Sequence, residues 1–213
     1  IGDRITDVKL AQHLGCKCFW LNDGLSLGAA EIMEKVDELR DFIAIESRDW
    51  EKIYNYLKGG PRKVRHERNT KETQITVEID LDGTGKAEIA TGLNFLDHML
   101  DQIARHGGID LKVVAKGDLH IDEHHTMEDT AITLGEAFLK ALGDKRGIER
   151  YGFCLHMDDA LAQVAIDFGG RNWIVWNAEF KRERVGDVPT EMFFHFFKSF
   201  SDASKSNLNI KVE

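Results

Sequence analysis

The decapeptide His120-Ile121-Asp122-Glu123-His124-His125-Thr126-Met127-Glu128-Asp129 decides how the chain around it is read. Behind it Ile132, Leu134, Ala137, Phe138, Ala141 and Leu142 recur at helical spacing, so the stretch reads as a strand end feeding a helix. On that helix His124 and Glu128 share one face, and His125 and Asp129 share the next. Two imidazoles and two carboxylates leaving one turn in two directions suit two metal ions better than one. The alternative is an acidic first turn that complements the helix dipole, with the histidines merely exposed.

Composition narrows the function classes. At 213 residues and 42% hydrophobic content, the chain is long enough for one large or two small domains with a real core. A formal charge of -9 argues against nucleic acid and against an anionic membrane surface. No apolar run reaches the roughly 20 residues of a membrane span. The opening Ile1-Gly2-Asp3-Arg4 has no basic-then-apolar leader, and three cysteines, two of them in Cys16-Lys17-Cys18, suit no ordinary disulfide. A reducing, cytoplasmic compartment is expected.

Residues 1 to about 60 differ from the rest. Lys9 to Leu14 reads as a short helix, Lys17 to Leu21 as a buried strand, and Ala29 to Leu39 and Asp49 to Leu57 as helices. The last is amphipathic through Trp50, Ile53, Tyr54 and Leu57. Gly59-Gly60-Pro61 and the charged run from Arg62 to Arg68 mark a domain boundary. Beyond it, Thr73 to Leu81 alternates as a strand and Asp82-Gly83-Thr84-Gly85 reads as a hairpin turn with Ala87 to Thr91 returning. A helix from Phe95 to His106 turns Leu96, Met99, Leu100 and Ile103 inward and His98, Asp101, Gln102 and Arg105 outward, and ends at Gly107-Gly108. Ile109 to Ala115 is a further strand.

The second half repeats this order. Phe153 to Met157, Ala162 to Phe168 and Trp173 to Phe180 read as strands with turns at Asp158-Asp159 and Gly169-Gly170. Pro189 to Phe200 reads as a helix, and Leu208 to Val212 as a strand. His98 and His195 occupy matching helices, which points to an internal duplication. The counterpart of His124 would then fall at about residue 221, so the expectation is a partial chain lacking the last helix of its second half. Imidazole and carboxylate donors without paired thiolates suit Mn²⁺, Fe²⁺ or Zn²⁺. Together His98, His124, His125, Glu128 and His195 favour a metal site over an exposed acidic turn, and the isolated Cys154 is given a structural role. Trp173, Trp176 and the phenylalanines from Phe193 to Phe200 are expected in the core or at a subunit interface.

Arg68-x-Thr70-x-Glu72-Thr73-x-Ile75, Phe95-Leu96-Asp97-His98-Met99-Leu100, His124-His125-x-x-Glu128-Asp129 and Gly169-Gly170-Arg171 together resemble the imidazoleglycerol-phosphate dehydratase family. The opening Gly2-Asp3-x-x-Thr6-Asp7 resembles motif IV of haloacid-dehalogenase-like phosphatases, as at the end of a histidinol-phosphate phosphatase domain. That order is similar to the bifunctional enzymes of histidine biosynthesis.

The resemblance implies an α+β fold of duplicated strand-rich halves with helices packed on the sheets, like domain 2 of ribosomal protein S5. The first half would span about 63–148 and the second about 149–213 of a dehydratase domain covering 61–213, preceded at 1–60 by the remnant of an α/β phosphatase domain. It implies dehydration of imidazole-glycerol phosphate to imidazole-acetol phosphate, with two Mn²⁺ holding the substrate imidazole as an imidazolate. His98 and His125 would serve one metal, and His124, Glu128 and His195 the other. Glu72 would be the proton shuttle, Arg150 and Arg171 would bind phosphate, and His106 would touch substrate. Asp3 would ligate Mg²⁺ in the phosphatase, whose upstream nucleophile this stretch does not contain. Relatives form a 24-subunit shell with sites between subunits. On residues alone Glu72 could instead be an edge-strand charge, Arg150 a solvated surface residue and Arg171 a turn residue. The family's second His-His-x-x-Glu and a downstream lysine have no match here, so the 213-residue chain is expected to be inactive alone. Two further readings stand beside the dehydratase: a phosphatase without its nucleophile, and a non-catalytic metal-binding or assembly fragment.

Overall fold

The computed structural model describes residues 1–22, 36–57, 62–145, 148 and 160–213, with the backbone alone at 154–157. Most of the expected helix from Ala29 to Leu39 lies outside these residues, as do Gly59-Gly60-Pro61, Arg150, the Asp158-Asp159 turn and the Cys154 side chain. The chain divides into two units, Ile1–Gly60 and Pro61–Glu213.

In the first unit, β1 (Cys18–Trp20) and β2 (Ile43–Glu46) pair in parallel, with α1 (Ile5–His13) and α2 (Trp50–Leu57) beside them. Helix α1 begins earlier than its apolar spacing indicated, because the Asp7 carboxylate accepts the Arg4 backbone N–H at 2.9 Å and caps the turn. Val8, Ala11, Cys18, Trp20 and Leu39 form a small core. On α2 only Ile53 is buried, while Trp50, Tyr54 and Leu57 of its apolar stripe are exposed. Cys16 and Cys18 are free thiols.

The second unit is built on two four-stranded sheets. The first consists of β3 (Lys63–Asn69), β4 (Gln74–Asp80), β5 (Ala87–Ala90) and β6 (Asp110–Lys116), in the order β3-β4-β6-β5. One sequence expectation fails here, the hairpin return of β5. The charged run Arg62 to Arg68, read only as marking the domain boundary, supplies most of the edge strand β3. Its outward charges are paired, Arg65 with Glu67 and Glu78, while His66 and Arg68 turn inward toward the helix above. The Asp82–Gly85 turn does not return β5 onto β4, because β6 lies between them, antiparallel to β4 and parallel to β5. Strand β6 buries Leu111, Val113 and Ala115 and takes the centre, leaving the half-buried β5 at the edge. The Asp110 carboxylate fastens the turn by accepting the Thr84 and Lys86 N–H groups at 2.7 and 3.0 Å.

The second sheet contains β7 (Cys154–Met157), β8 (Ala160–Asp167), β9 (Trp173–Asn177) and β12 (Asn207–Val212), in the order β7-β8-β12-β9. Its pairings are antiparallel, antiparallel and parallel, as in the first sheet. Between its elements lies the small hairpin β10 (Arg184–Val185) and β11 (Val188–Pro189).

Three helices complete the unit: α3 (Asn94–Gly107), α4 (His124–Leu142) and α5 (Glu191–Ser204). In both halves the strand after the histidine-bearing helix starts twelve residues beyond that histidine, at Asp110 after His98 and at Asn207 after His195. Helix α3 buries Leu96, Leu100 and Ala104, whereas Met99 and Ile103, expected inward, are 36% and 38% exposed. They line an apolar cavity of about 520 Å³ between α3, α5 and the second sheet, together with Trp176, Phe197, Ile210 and Val212. The principal core joins the first sheet to α3, α4 and α5 through Val77, Leu100, Val113, Met127, Leu134 and Phe196. Among the described residues no helix is long and apolar enough to cross a membrane.

Candidate metal centre

Helix α4 starts where it does because the Asp122 carboxylate accepts the His124 backbone N–H at 3.0 Å. Its ligand-bearing first turn meets α5 because the two helices approach closely two turns further on. A Cβ on Gly135 would lie 2.8 Å from both the Ala203 Cβ and the Phe200 carbonyl oxygen, so only glycine allows this crossing. The crossing brings His195 of α5 over the first turn of α4.

There His195 Nδ1 stands 2.8 Å from Glu128 Oε1, and His124 Nε2 stands 3.3 Å from the same oxygen. The His124 and His195 rings lie 5.0 Å apart, centroid to centroid. One donor atom from each of the three residues falls within 4.8 Å of the others. Two imidazole nitrogens and a carboxylate oxygen that close together fit one divalent transition-metal ion, whose bonds to such donors run about 2.0–2.2 Å.

His125 takes a different direction. Its Nδ1 is 3.0 Å from Asp118 Oδ2, in the turn that follows β6. This hydrogen bond, outweighing the small desolvation of the ring, holds the imidazole above its ordinary range; the charges of Asp118, Glu72 and Asp122 add to it. The same bond holds the Asp118 carboxyl below the usual carboxylate range. Glu72 sits exposed on the β3–β4 turn, and its charge reaches His125.

Asp129, which helical spacing pairs with His125, is not a free ligand. Its side chain is only 14% exposed. It accepts from Arg68 Nη2 at 3.1 Å, from Thr73 Oγ1 at 2.6 Å and from Thr70 Oγ1 at 3.4 Å. Thr70 Oγ1 in turn accepts the Thr73 and Glu72 backbone N–H groups, at 2.9 and 3.2 Å. Asp129 thus ties the turn that carries Glu72 to the helix that carries His124, His125 and Glu128.

None of the other expected histidines joins the three-residue group. His98 is exposed on α3 and, like His125, does not join it. His106 is exposed at the end of α3, 3.1 Å from Gln102 Oε1. Arg171 is exposed after Gly169-Gly170, Arg150 lies outside the described residues, and Asp3 is exposed in the first unit. Sequence reasoning missed Asp118, which no motif marks. The partners of Asp129 were visible as Arg68-x-Thr70-x-x-Thr73, but only as a string without a direction.

A family model for imidazoleglycerol-phosphate dehydratase matches residues 91–213, which include every member of the three-residue group. The chain belongs to the imidazoleglycerol-phosphate dehydratase family. It is 59% identical over 216 residues to the histidine biosynthesis bifunctional protein HisB of Spirosoma linguale, an alignment covering all of this chain and 56% of that protein. The protein of the same name from Bacteroides fragilis is 55% identical over 213 residues, again covering the whole chain and 55% of the relative. The chain therefore spans little more than half the length of these relatives. The crystal structure of imidazoleglycerol-phosphate dehydratase from Staphylococcus aureus matches with a TM-score of 0.62 at 31% identity, covering 70% of this chain and 84% of that one. The mixed α+β architecture of the second unit is that of the family.

Proposed function

We propose that the second unit carries a dehydratase site that removes water from D-erythro-imidazole-glycerol phosphate to give imidazole-acetol phosphate, a step of L-histidine biosynthesis. The observation that carries this is the convergence of His124, Glu128 and His195 in a chain of this family. Bound Mn²⁺ would supply Lewis-acid polarisation and a template for the substrate's imidazole. The chain's own groups do the rest. His124, Glu128 and His195 hold one ion, and His125 with His98 holds the second. Glu72, whose charge reaches His125, moves the proton at the substrate carbon. Arg150 and Arg171 grip the phosphate, for which a guanidinium fork is suited, and His106 contacts substrate.

His98 and His106 are exposed and do not join the group in one chain, so for them to serve the site symmetric copies would have to bring them to it. This reading therefore requires a homo-oligomer, in the extreme the family's 24-subunit shell. The shared strand order of the two sheets supports a duplicated, S5-domain-2-like origin of the halves. For residues 1–60 we propose the end of a histidinol-phosphate phosphatase domain, with Asp3 toward Mg²⁺. Parallel β1 and β2 and alignment over the full chain with relatives named bifunctional support it. The chain would work in the cytoplasm.

The test has two arms. Mn²⁺ at about 100 times its dissociation constant should stabilise the chain by roughly 2.7 kcal/mol, an effect lost in His124→Ala with His125→Ala. An unmoved melting temperature rejects the metal centre. With Mn²⁺ bound, formation of imidazole-acetol phosphate is then followed. The 213-residue chain alone is expected to bind without turnover, so product is sought beside a protein extended by the family's second His-His-x-x-Glu segment. Binding without product in both favours the second reading, a metal-binding or assembly element, to which the absence of His98 and His106 from the group also points.

A further inference from the structure

Asp118 is placed as no purely structural residue needs to be. Its side chain is only 10% exposed, yet His125, itself half exposed, is its one side-chain partner among the described residues. Its second oxygen, Oδ1, is buried with no hydrogen-bond partner among them. An oxygen withdrawn from water without a hydrogen-bond partner carries a desolvation cost. The turn that holds it is pressed against the first turn of α4. A Cβ on Gly117 would fall 1.9 Å from Thr126 Oγ1, so the approach depends on glycine. The turn is closed by the Ile121 N–H donating to the Asp118 carbonyl at 2.7 Å.

An ionised carboxylate can only accept, so the ring nitrogen facing Asp118 carries the hydrogen. In the neutral ring, that leaves Nε2 of His125 with the bare lone pair. Free imidazole side chains in water prefer the opposite tautomer, with the hydrogen on Nε2, which cannot ligate a metal through that atom. We propose that Asp118 is a positioning residue for His125, fixing its tautomer and ring rotation so that Nε2 is presented to the second divalent cation. This rests on the reading above that His125 is a metal ligand. Carboxylates that orient ligating histidines in this way typically contribute 10- to 100-fold in metal affinity.

The experiment uses the purified chain, Mn²⁺ titration by calorimetry, and ¹⁵N imidazole spectra of the metal-free protein. Asp118→Ala and the near-isosteric Asp118→Asn should each weaken one class of Mn²⁺ site 10- to 100-fold and spare the other. In Asp118→Ala the His125 nitrogens should lose the Nδ1–H signature because alanine accepts nothing, and in Asp118→Asn the signature should become mixed, because an amide can accept or donate. Affinities within about twofold of wild type, or an unchanged ¹⁵N signature, overturn the proposal. So does loss of both sites together with a collapsed melting temperature, which would make Asp118 a folding residue. His125→Ala serves as the separate control. If it leaves Mn²⁺ binding intact, the ligand reading of His125 itself falls, and the assignment to Asp118 falls with it.

Discussion

Asp129 shows how a residue's neighbours decide its chemistry. One position along from Glu128, it faces the β3–β4 turn and spends its acceptors on Arg68, Thr70 and Thr73. Asp129→Ala should therefore destabilise the chain by about 1–3 kcal/mol, since it strands the Arg68 guanidinium and the buried Thr73 hydroxyl. Denaturant titration measures this, and a loss below about 0.5 kcal/mol would show that the network carries no stability. Because the turn also carries Glu72, the variant should lose the electrostatic reach of Glu72 to His125 as well. A second residue-scale case is Asp187, whose carboxylate caps α3 from 92 residues away: it accepts the Phe95 N–H at 3.0 Å, and the Asn94 N–H at 2.6 Å. Burial pushes its carboxyl up, but these backbone donors outweigh that and hold it below the usual range. Asp187→Ala should cost about 1 kcal/mol at neutral pH. With the folded pKa depressed, that stability is present above the ordinary value of about 3.9 and is lost as pH falls through the folded one. Melting curves of the two proteins should converge in acid; a gap that persists there would rule out this linkage.

At the scale of elements, the α4–α5 crossing governs the metal group. Glycine at 135 has a negative φ, so its value is closeness and not conformational freedom. Gly135→Ala should force α5 outward against Ala203, Phe200 and Ser204, at about 1–3 kcal/mol. Because His195 rides on α5, Mn²⁺ affinity should fall with it although no ligand has changed. Calorimetry that finds wild-type affinity in a destabilised Gly135→Ala protein would separate the crossing from the site. Strand β3 is held to the same helix by His66, hydrogen-bonded to Glu136 and Lys140, and by Arg68, so the charges of the run beside the domain boundary are what dock the edge strand.

At the scale of the whole molecule, the three grouped residues and the positioning carboxylates Asp118 and Asp129 all lie in Pro61–Glu213. That unit has its own core, extending from Val77 and Leu100 to Phe196. Expressed alone, residues 61–213 should fold and bind Mn²⁺ as tightly as the 213-residue chain. A weakened site in the shorter protein would assign the first unit a part in holding it.

Helical and alternating periodicities made α3, α4, α5, β4 and β6 legible, because a buried face imposes its period on local sequence. The histidine positions in matching helices pointed to the duplication, whereas the grouping of His195 with His124 and Glu128 came only from the family resemblance. Tertiary structure alone decided the insertion of β6 between β4 and β5, the strand character of Arg62 to Arg68, and the closeness at Gly135. It alone decided which partner each carboxylate meets: Glu128 faces His195, Asp129 faces Arg68, and Asp118 faces His125. The physical reason is range. Periodicity records whether a residue is inside, while the partner of a buried carboxylate is fixed by contacts across 7, 61 or 67 positions that leave no periodic trace.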